Sequence, residues 1–288
     1  MKIAGYQIIA AITLVCLCVG LFMVWTRIRV KTETEKVVLP SIDDIPKEYW
    51  AKLAEKKIFF GHKSVGYNVI DGITDIMREH DYIRLKIVET DDPADFDEPI
   101  FAHATIGKNT KPQSKILAFK NIMDSGVGDK VDMAFFKFCY VDVVRDSIPQ
   151  QIFDNYNSEL ESLKAQYPEV AFLHVTVPVC STPRTAERVL KESVKLLIGK
   201  PGVLDDNLKR QQYNSLLNQR YAKAEKVFDL AFVESISLDG LRCYGTKGQE
   251  RVYIMFPEYT HDGGHLNPIG RKKIAEQLLI TLVKMANE

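Results

Sequence analysis

Apolar and polar positions divide the chain into a long apolar start, a charged connecting stretch, and a body in which short apolar runs alternate with amphipathic ones. Residues 8–25, IIAAITLVCLCVGLFMVW, carry no charge, and a run of this length is near the lower limit for a bilayer-spanning helix. Trp25 stands at its end, where an interfacial aromatic would lie. No small-x-small cleavage site follows. Cys16 and Cys18 follow Val15 and Leu17 rather than the small residue that lipoprotein processing prefers. An uncleaved signal anchor over 1–30 is therefore expected. A cleaved signal peptide and a buried core helix are the competing readings.

Lys2 precedes the run, while Arg27, Arg29 and Lys31 follow it. Counted literally, this places the rest of the chain in the cytoplasm. A short Lys-bearing head before an apolar run is, however, the usual export arrangement. On that ground the body of the protein is expected outside the cytoplasm, on a membrane tether.

Residues 31–45, KTETEKVVLPSIDDI, are charged and irregular and read as a linker. From 46 to 288 the pattern alternates. KIFF (57–60) predicts a strand; 64–80 places Val65, Val69, Ile73, Ile76 and Met77 at helical spacing. IRLKIVE (83–89), VDMAFFKFCYV (131–141), VAFLHVTV (170–177) and VFDLAFVES (227–235) predict four more strands. Helices are predicted over 47–56, 112–126, 148–167, about 205–226 and 268–286, with loops at 91–111 and 239–264. Five strands separated by helices define an α/β fold. The expected form is a doubly wound, flavodoxin-like parallel sheet of five strands with helices on both faces. In such a sheet the site lies at the carboxyl ends of the strands. The loops 61–66, 91–111, 139–147, 178–205 and 239–265 should converge there.

Composition narrows the function classes. The chain is 46% hydrophobic and 26% charged, with formal net charge zero. It has no basic excess to neutralise phosphates, so no nucleic-acid partner is expected. The five cysteines form no CxxC pair, which speaks against zinc and thioredoxin-like chemistry. Cys139, Cys180 and Cys243 read as buried thiols, with one bridged pair as the alternative.

Two segments carry candidate chemistry. In FFGHKSVGYN, Gly61 and Gly66 flank Ser64 on a strand-to-helix turn. A serine there exposes its hydroxyl above the sheet, with its own N–H at a helix start where negative charge is stabilised. Three readings stand for this segment alone: a nucleophile, a helix cap, and a phosphate-binding turn that lacks the P-loop Lys-Ser/Thr pattern. In EYTHDGGHLNPIGR, Asp262 and His265 are three apart with two glycines between. A carboxylate so placed can hold the imidazole Nδ1–H and turn Nε2 outward. A metal-ligand pair or a merely polar loop are the alternatives, and no further ligand stands at metal spacing. In a doubly wound sheet both segments border one crevice. A nucleophilic Ser64, with His265 as base and Asp262 behind it, needs no metal or cofactor.

Other residues are weighed beside these. His62 reads as a substrate contact, a support for the site, or a turn histidine. Tyr140 and Asp142, at the end of the third predicted strand, read as pocket-lining or ordinary strand-end groups. His103 lies in the 91–111 loop. His174 reads as a core histidine. Arg184 and Arg188 read as a solvated helix face, with an anionic substrate as the other reading.

The order of these segments resembles the SGNH (GDSL-like) hydrolase superfamily over about 57–286. There, a serine after the first strand pairs with an Asp-x-x-His before the final helix. The Asp262/His265 pair is the most specific part of the likeness. At Ser64, GHKS stands where Gly-Asp-Ser is usual. The resemblance implies an oxyanion hole formed by the N–H groups of Ser64 and Gly107. The family's third donor, an asparagine, is replaced by Val141 within Cys139-Tyr140-Val141-Asp142. Either Asn109 supplies that donor from the neighbouring loop, or the hole has two donors. The activity implied is ester hydrolysis through an acyl-enzyme. An acyltransferase using the same site and a non-catalytic glycan-binding or assembly module are the alternatives. With a membrane tether, acylated (for instance O-acetylated) glycans or lipids are the implied substrates.

Overall fold

A computed structural model describes residues 30–183, 186–197 and 202–288. The predicted anchor lies outside the described residues. Among the described residues, no helix is long and apolar enough to cross a membrane.

The first element is a strand, β1 (Lys31–Lys36), followed by helix α1 (Lys47–Ala54). The body continues with β2 (Lys57–His62), α2 (Val65–Glu79), β3 (Ile87–Glu89), β4 (Ile100–Thr105), α3 (Pro112–Ile122), β5 (Met133–Phe136), α4 (Pro149–Gln166) and β6 (Ala171–Val175). It closes with α5 (Ala186–Leu197), α6 (Val203–Tyr221), β7 (Val227–Phe228), α7 (Leu230–Ser235), β8 (Leu241–Lys247), β9 (Glu250–Tyr253) and α8 (Pro268–Ala286). The central sheet is wholly parallel, in the order β3-β4-β2-β5-β6-β7.

Strand alternation sets the two cores. Ile58, Phe60, Phe101, Met133, Phe135 and Leu173 face one side and bury the apolar stripes of α1, α2 and α8. Phe59, Ala102, Ala134, Phe136 and Phe172 face the other and meet α3, α4 and α6. Covered on both faces, the strands are almost continuously apolar, as parallel sheets require.

The expected α/β class holds, with six strands instead of five. The additional strand is β4, inside the segment read as a loop over 91–111. It pairs with β2 from Lys57↔Ile100 to His62↔Thr105. Of the predicted strand 83–89, only Ile87–Glu89 pairs, at the sheet edge. The predicted strand 227–235 stops after Phe228, because Asp229 accepts the N–H of Phe232 and begins α7. The segment read as an irregular linker contributes β1, which pairs antiparallel with β8 in a second sheet of order β1-β8-β9. That sheet also takes residues from the region read as irregular over 239–264. Cys139, Cys180 and Cys243 are buried free thiols, so no pair among them is bridged.

β2 lies between β4 and β5, where successive strands leave it to opposite sides. The turns after these three strands, 63–64, 106–111 and 137–143, meet at the carboxyl end of the sheet.

Candidate active site

Ser64 occupies the turn between β2 and α2. It stands at the N-cap position of α2, yet its side chain makes no capping bond. Its Oγ lies instead 2.6 Å from Nε2 of His265. The backbone at Ser64 has φ 54° and ψ −107°, a region that a residue with a Cβ adopts at a cost of ~1–3 kcal/mol. The turn is tight on its far side as well. A Cβ at Gly66 would fall 2.3 Å from the His62 ring, so only glycine lets the helix start this close to β2.

His265 and Asp262 come from the loop that precedes α8. His265 Nδ1 lies 2.5 Å from Asp262 Oδ2. The other carboxylate oxygen accepts the N–H groups of Gly264 at 2.9 Å and His265 at 2.7 Å. Burial alone would raise the pKa of Asp262. The Gly264 N–H and the His265 ring and N–H outweigh it and hold the carboxyl well below the usual range. With Asp262 ionised, Nδ1 carries the proton and Nε2 faces Ser64 as an acceptor. Asn68 on α2 accepts the N–H of Leu266 at 3.2 Å, fixing this loop against the helix that Ser64 begins.

Gly107 and Asn109 lie on the turn after β4. Gly107 has φ 55°, and a Cβ there would fall 2.6 Å from Ser114 O and Lys115 N. The turn is thus pressed onto the first turn of α3. Neither the N–H of Ser64 nor that of Gly107 donates to another described residue. The Asn109 side chain is exposed, and its Oδ1 accepts from Lys115 Nζ at 3.2 Å.

His62 and Asp142 differ from the expectation of contact with substrate, being 0% and 3% exposed. His62 Nε2 lies 3.0 Å from His103 Nδ1, and burial, with Lys137 and His103 acting the same way, pushes its pKa down to about 2. His103 itself sits within β4 instead of a loop. Asp142 pairs with buried Lys115 and accepts the N–H groups of Thr110 at 2.9 Å and Cys139 at 2.6 Å. It ties the Asn109 turn to the turn after β5. Tyr140 is the one of the three that reaches the crevice. Its ring packs edge-on to His265, with centroids 5.9 Å apart, and burial raises its hydroxyl to about 12.

Tyr140 also lines a cavity of about 510 Å³ beside Asp262, with Ser181, Thr182, Lys191 and Thr260. His174 lies in the core, between Tyr156 Oη at 2.7 Å and Glu225 Oε2 at 2.9 Å. Arg184 and the side chain of Arg188 lie outside the described residues. Three supporting residues escaped the sequence reading: Lys115, Lys137 and Arg210. Arg210 Nε holds Tyr140 O at 2.9 Å and Val143 O at 3.1 Å. The signal for Lys137 was a single cation within the apolar run MAFFKFCYV; Lys115, in PQSKILAFKN with Gln113, Ser114 and Lys120 around it, left none.

Ser64 lies directly after β2 and the Asp262–His265 loop directly before α8, the order expected from the sequence. No protein-family model matches the chain, and no curated protein matches it. The solved structures to which it is similar include a Streptococcus pneumonia protein described as a platelet activating factor, at 15% identity over 93% of this chain and 99% of that one, TM-score 0.46. They include an acetyl esterase variant with bound acetate, at 12% identity over 80% and 97%, TM-score 0.44. They also include the periplasmic domain of a lipopolysaccharide acetyltransferase from Salmonella ser. Paratyphi A, at 13% identity over 78% and 82%, TM-score 0.46.

Proposed function

We propose that the protein is a serine-type acyl-ester hydrolase. The observation that carries this reading is the continuous chain Ser64 Oγ, His265 Nε2, His265 Nδ1, Asp262 Oδ2, linked at 2.6 and 2.5 Å. A serine hydroxyl becomes a useful nucleophile when a base oriented by a third group lies within hydrogen-bond reach.

In the reaction, Ser64 Oγ attacks the acyl carbonyl carbon and its proton passes to His265 Nε2. The carbonyl oxygen becomes an oxyanion, held by the N–H groups of Ser64 and Gly107 and by the Asn109 amide. The bond to the leaving alcohol breaks as His265 returns the proton to it. Water then attacks the acyl carbon with His265 again as base, the bond to Ser64 Oγ breaks as His265 returns the proton to that oxygen, and the carboxylic acid leaves. Asp262 keeps the imidazole in one tautomer and stabilises its charged form throughout. No cofactor or metal takes part. A hydroxyl-bearing acceptor in place of water would make the same site an acyltransferase. His265 is 44% exposed at its side chain, which leaves room for either.

The proposed substrates are acyl esters, such as O-acetyl esters, of glycans or lipids. That class follows from a membrane-tethered enzyme outside the cytoplasm, a placement supported by the apolar run 8–25 and the short Lys-bearing head before it alone.

A fluorophosphonate probe tests the activity. Labelling is expected at Ser64, abolished in Ser64→Ala and strongly reduced in His265→Ala. Absence of labelling in folded wild-type protein would overturn the reading and point to a binding module. Release of p-nitrophenol from acetyl, butyryl and longer esters then measures acyl length.

A further inference from the structure

Lys115 and Lys137 are 0% and 1% exposed, a rare state for charged side chains. Lys115 at least has Asp142 as a partner. Lys137 has no carboxylate within ion-pair distance among the described residues. A methionine of similar length would fill its place without the desolvation that a buried ammonium suffers. A residue that breaks a packing rule in this way points to function nearby.

Both lysines end on the oxygen of an amide. Lys137 Nζ donates to the carbonyl of Lys63 at 3.0 Å. The nitrogen of that same peptide unit is the N–H of Ser64. The Lys63 oxygen also accepts the N–H of Gly66 at 3.1 Å and the thiol of Cys139 at 3.4 Å. Lys115 Nζ donates to Asn109 Oδ1 at 3.2 Å, and the nitrogen of that side-chain amide is Nδ2. With its oxygen on a cation, the flip of the Asn109 amide is fixed, which leaves the two N–H donors of Nδ2 on the other side.

We propose that Lys115 and Lys137 are positioning residues that hold and polarise, through their carbonyl ends, two amides whose N–H groups receive the oxyanion. The proposal rests on the reading of Ser64 as nucleophile. A cation on an amide oxygen draws electron density from its nitrogen and makes the N–H a stronger donor. In a buried setting that polarisation is weakly screened. Donors fixed beforehand and aimed at developing charge act on the transition state more than on the ground state. Lys115, through Asp142, also holds the turns after β4 and β5 to each other.

The experiment is ester hydrolysis by variants of the full-length protein, after wild type has been shown to label at Ser64. That order separates this proposal from the one beneath it: an unlabelled wild type would end the hydrolase reading, whereas the lysine outcomes count only in a labelled enzyme. In Lys137→Met, kcat is expected to fall about tenfold or more with KM unchanged, since loss of a whole oxyanion donor costs about 10²–10³-fold. Binding of a trifluoromethyl ketone, which forms a tetrahedral oxyanion on the serine, should weaken by the same factor. The melting temperature should not fall, because an unpaired buried charge has been removed. An unchanged kcat, or a loss of activity that tracks a loss of stability, would overturn the proposal for this residue.

For Lys115, removing one member of a buried pair endangers folding, so both charges are removed together in Lys115→Met/Asp142→Asn. Its effect on kcat is measured with Asn109 present and in Asn109→Ala. A loss that largely disappears in the Asn109→Ala background is expected. The same fold-loss in both backgrounds would show a general structural role and overturn the assignment.

Discussion

Ser64 Oγ and His265 Nε2 are 2.6 Å apart although 201 residues separate them in the sequence. The helix that Ser64 begins receives no capping bond from it; the hydroxyl is committed to the imidazole. If that commitment is catalytic, Ser64→Ala and His265→Ala should each lower kcat for an activated ester by about 10⁴-fold or more. Circular dichroism should show both variants folded. Steady-state rates with p-nitrophenyl acetate provide the measurement.

The positive φ at Ser64 gives a second, opposite expectation. Ser64→Ala keeps the unfavourable backbone, whereas Ser64→Gly relieves it at the entropic cost of glycine, ~0.5–1 kcal/mol. Against strain of ~1–3 kcal/mol, Ser64→Gly should be the more stable of the two inactive variants by about 1 kcal/mol. Urea denaturation of the pair checks this without reference to activity.

Asp262 should matter to rate far more than to binding. Asp262→Asn keeps the size of the side chain but no longer imposes the Nδ1–H tautomer. A fall in kcat of about 10⁴-fold is expected, with KM little changed. A loss of less than tenfold would mean that the carboxylate is not the orienting group.

Gly66→Ala should damage the site without touching any reacting atom. Its Cβ would press within 2.3 Å of a His62 ring packed against Phe60 and Tyr67. The ring cannot swing into open space, so a loss of ~1–3 kcal/mol is expected. Esterase activity should fall with it, since the Ser64 turn must shift.

Glu234 supplies a pH dependence of stability. It is fully buried, and burial raises its pKa to about 8 even though Val179 N–H, Lys137 and Arg210 act to lower it. A carboxyl whose folded pKa exceeds its unfolded value contributes stability fully below the unfolded pKa of 4.5 and loses it as pH rises through the folded value. Wild-type stability should therefore decline between about pH 4.5 and 8, at ~1.4 kcal/mol per unit of raised pKa. Glu234→Gln should flatten that decline, as read by urea midpoints at pH 5.5 and 8.5.

Sequence patterns revealed six of the eight described helices, missing α5 in the segment read as a loop over 178–205 and α7, and revealed the short strands poorly. The stripe Val65, Val69, Ile73, Ile76 marks α2, and Pro268 marks the start of α8, because their periodicity runs over several turns. β4 went unseen since IFAHAT is brief, follows an acidic stretch, and is buried along nearly its whole length, leaving no alternation to read. In 227–235 a cap signal was present: Asp229 before an apolar turn. At the site, Asp262 and His265 stood out by residue type and spacing, whereas the Ser64 segment alone also read as a helix cap or a phosphate-binding turn. The buried placement of His62 and Asp142 was not, because a turn sequence does not say which way its polar side chains point. Lys137 within VDMAFFKFCYV was visible as an anomaly, but its partner, the carbonyl of Lys63, belongs to the backbone and leaves no trace in composition.

β1 is an edge strand, and five of its six residues are exposed. An open edge offers unpaired N–H and C=O groups to any other extended chain, and charged side chains along it discourage that pairing. KTETEK supplies two lysines and two glutamates. The edges of the central sheet are guarded differently, by brevity: β3 has three residues and β7 has two. The protein thus resists strand-by-strand self-association through charge on one sheet and shortness on the other. Replacing the β1 charges with valine and threonine would leave a six-residue template for aggregation.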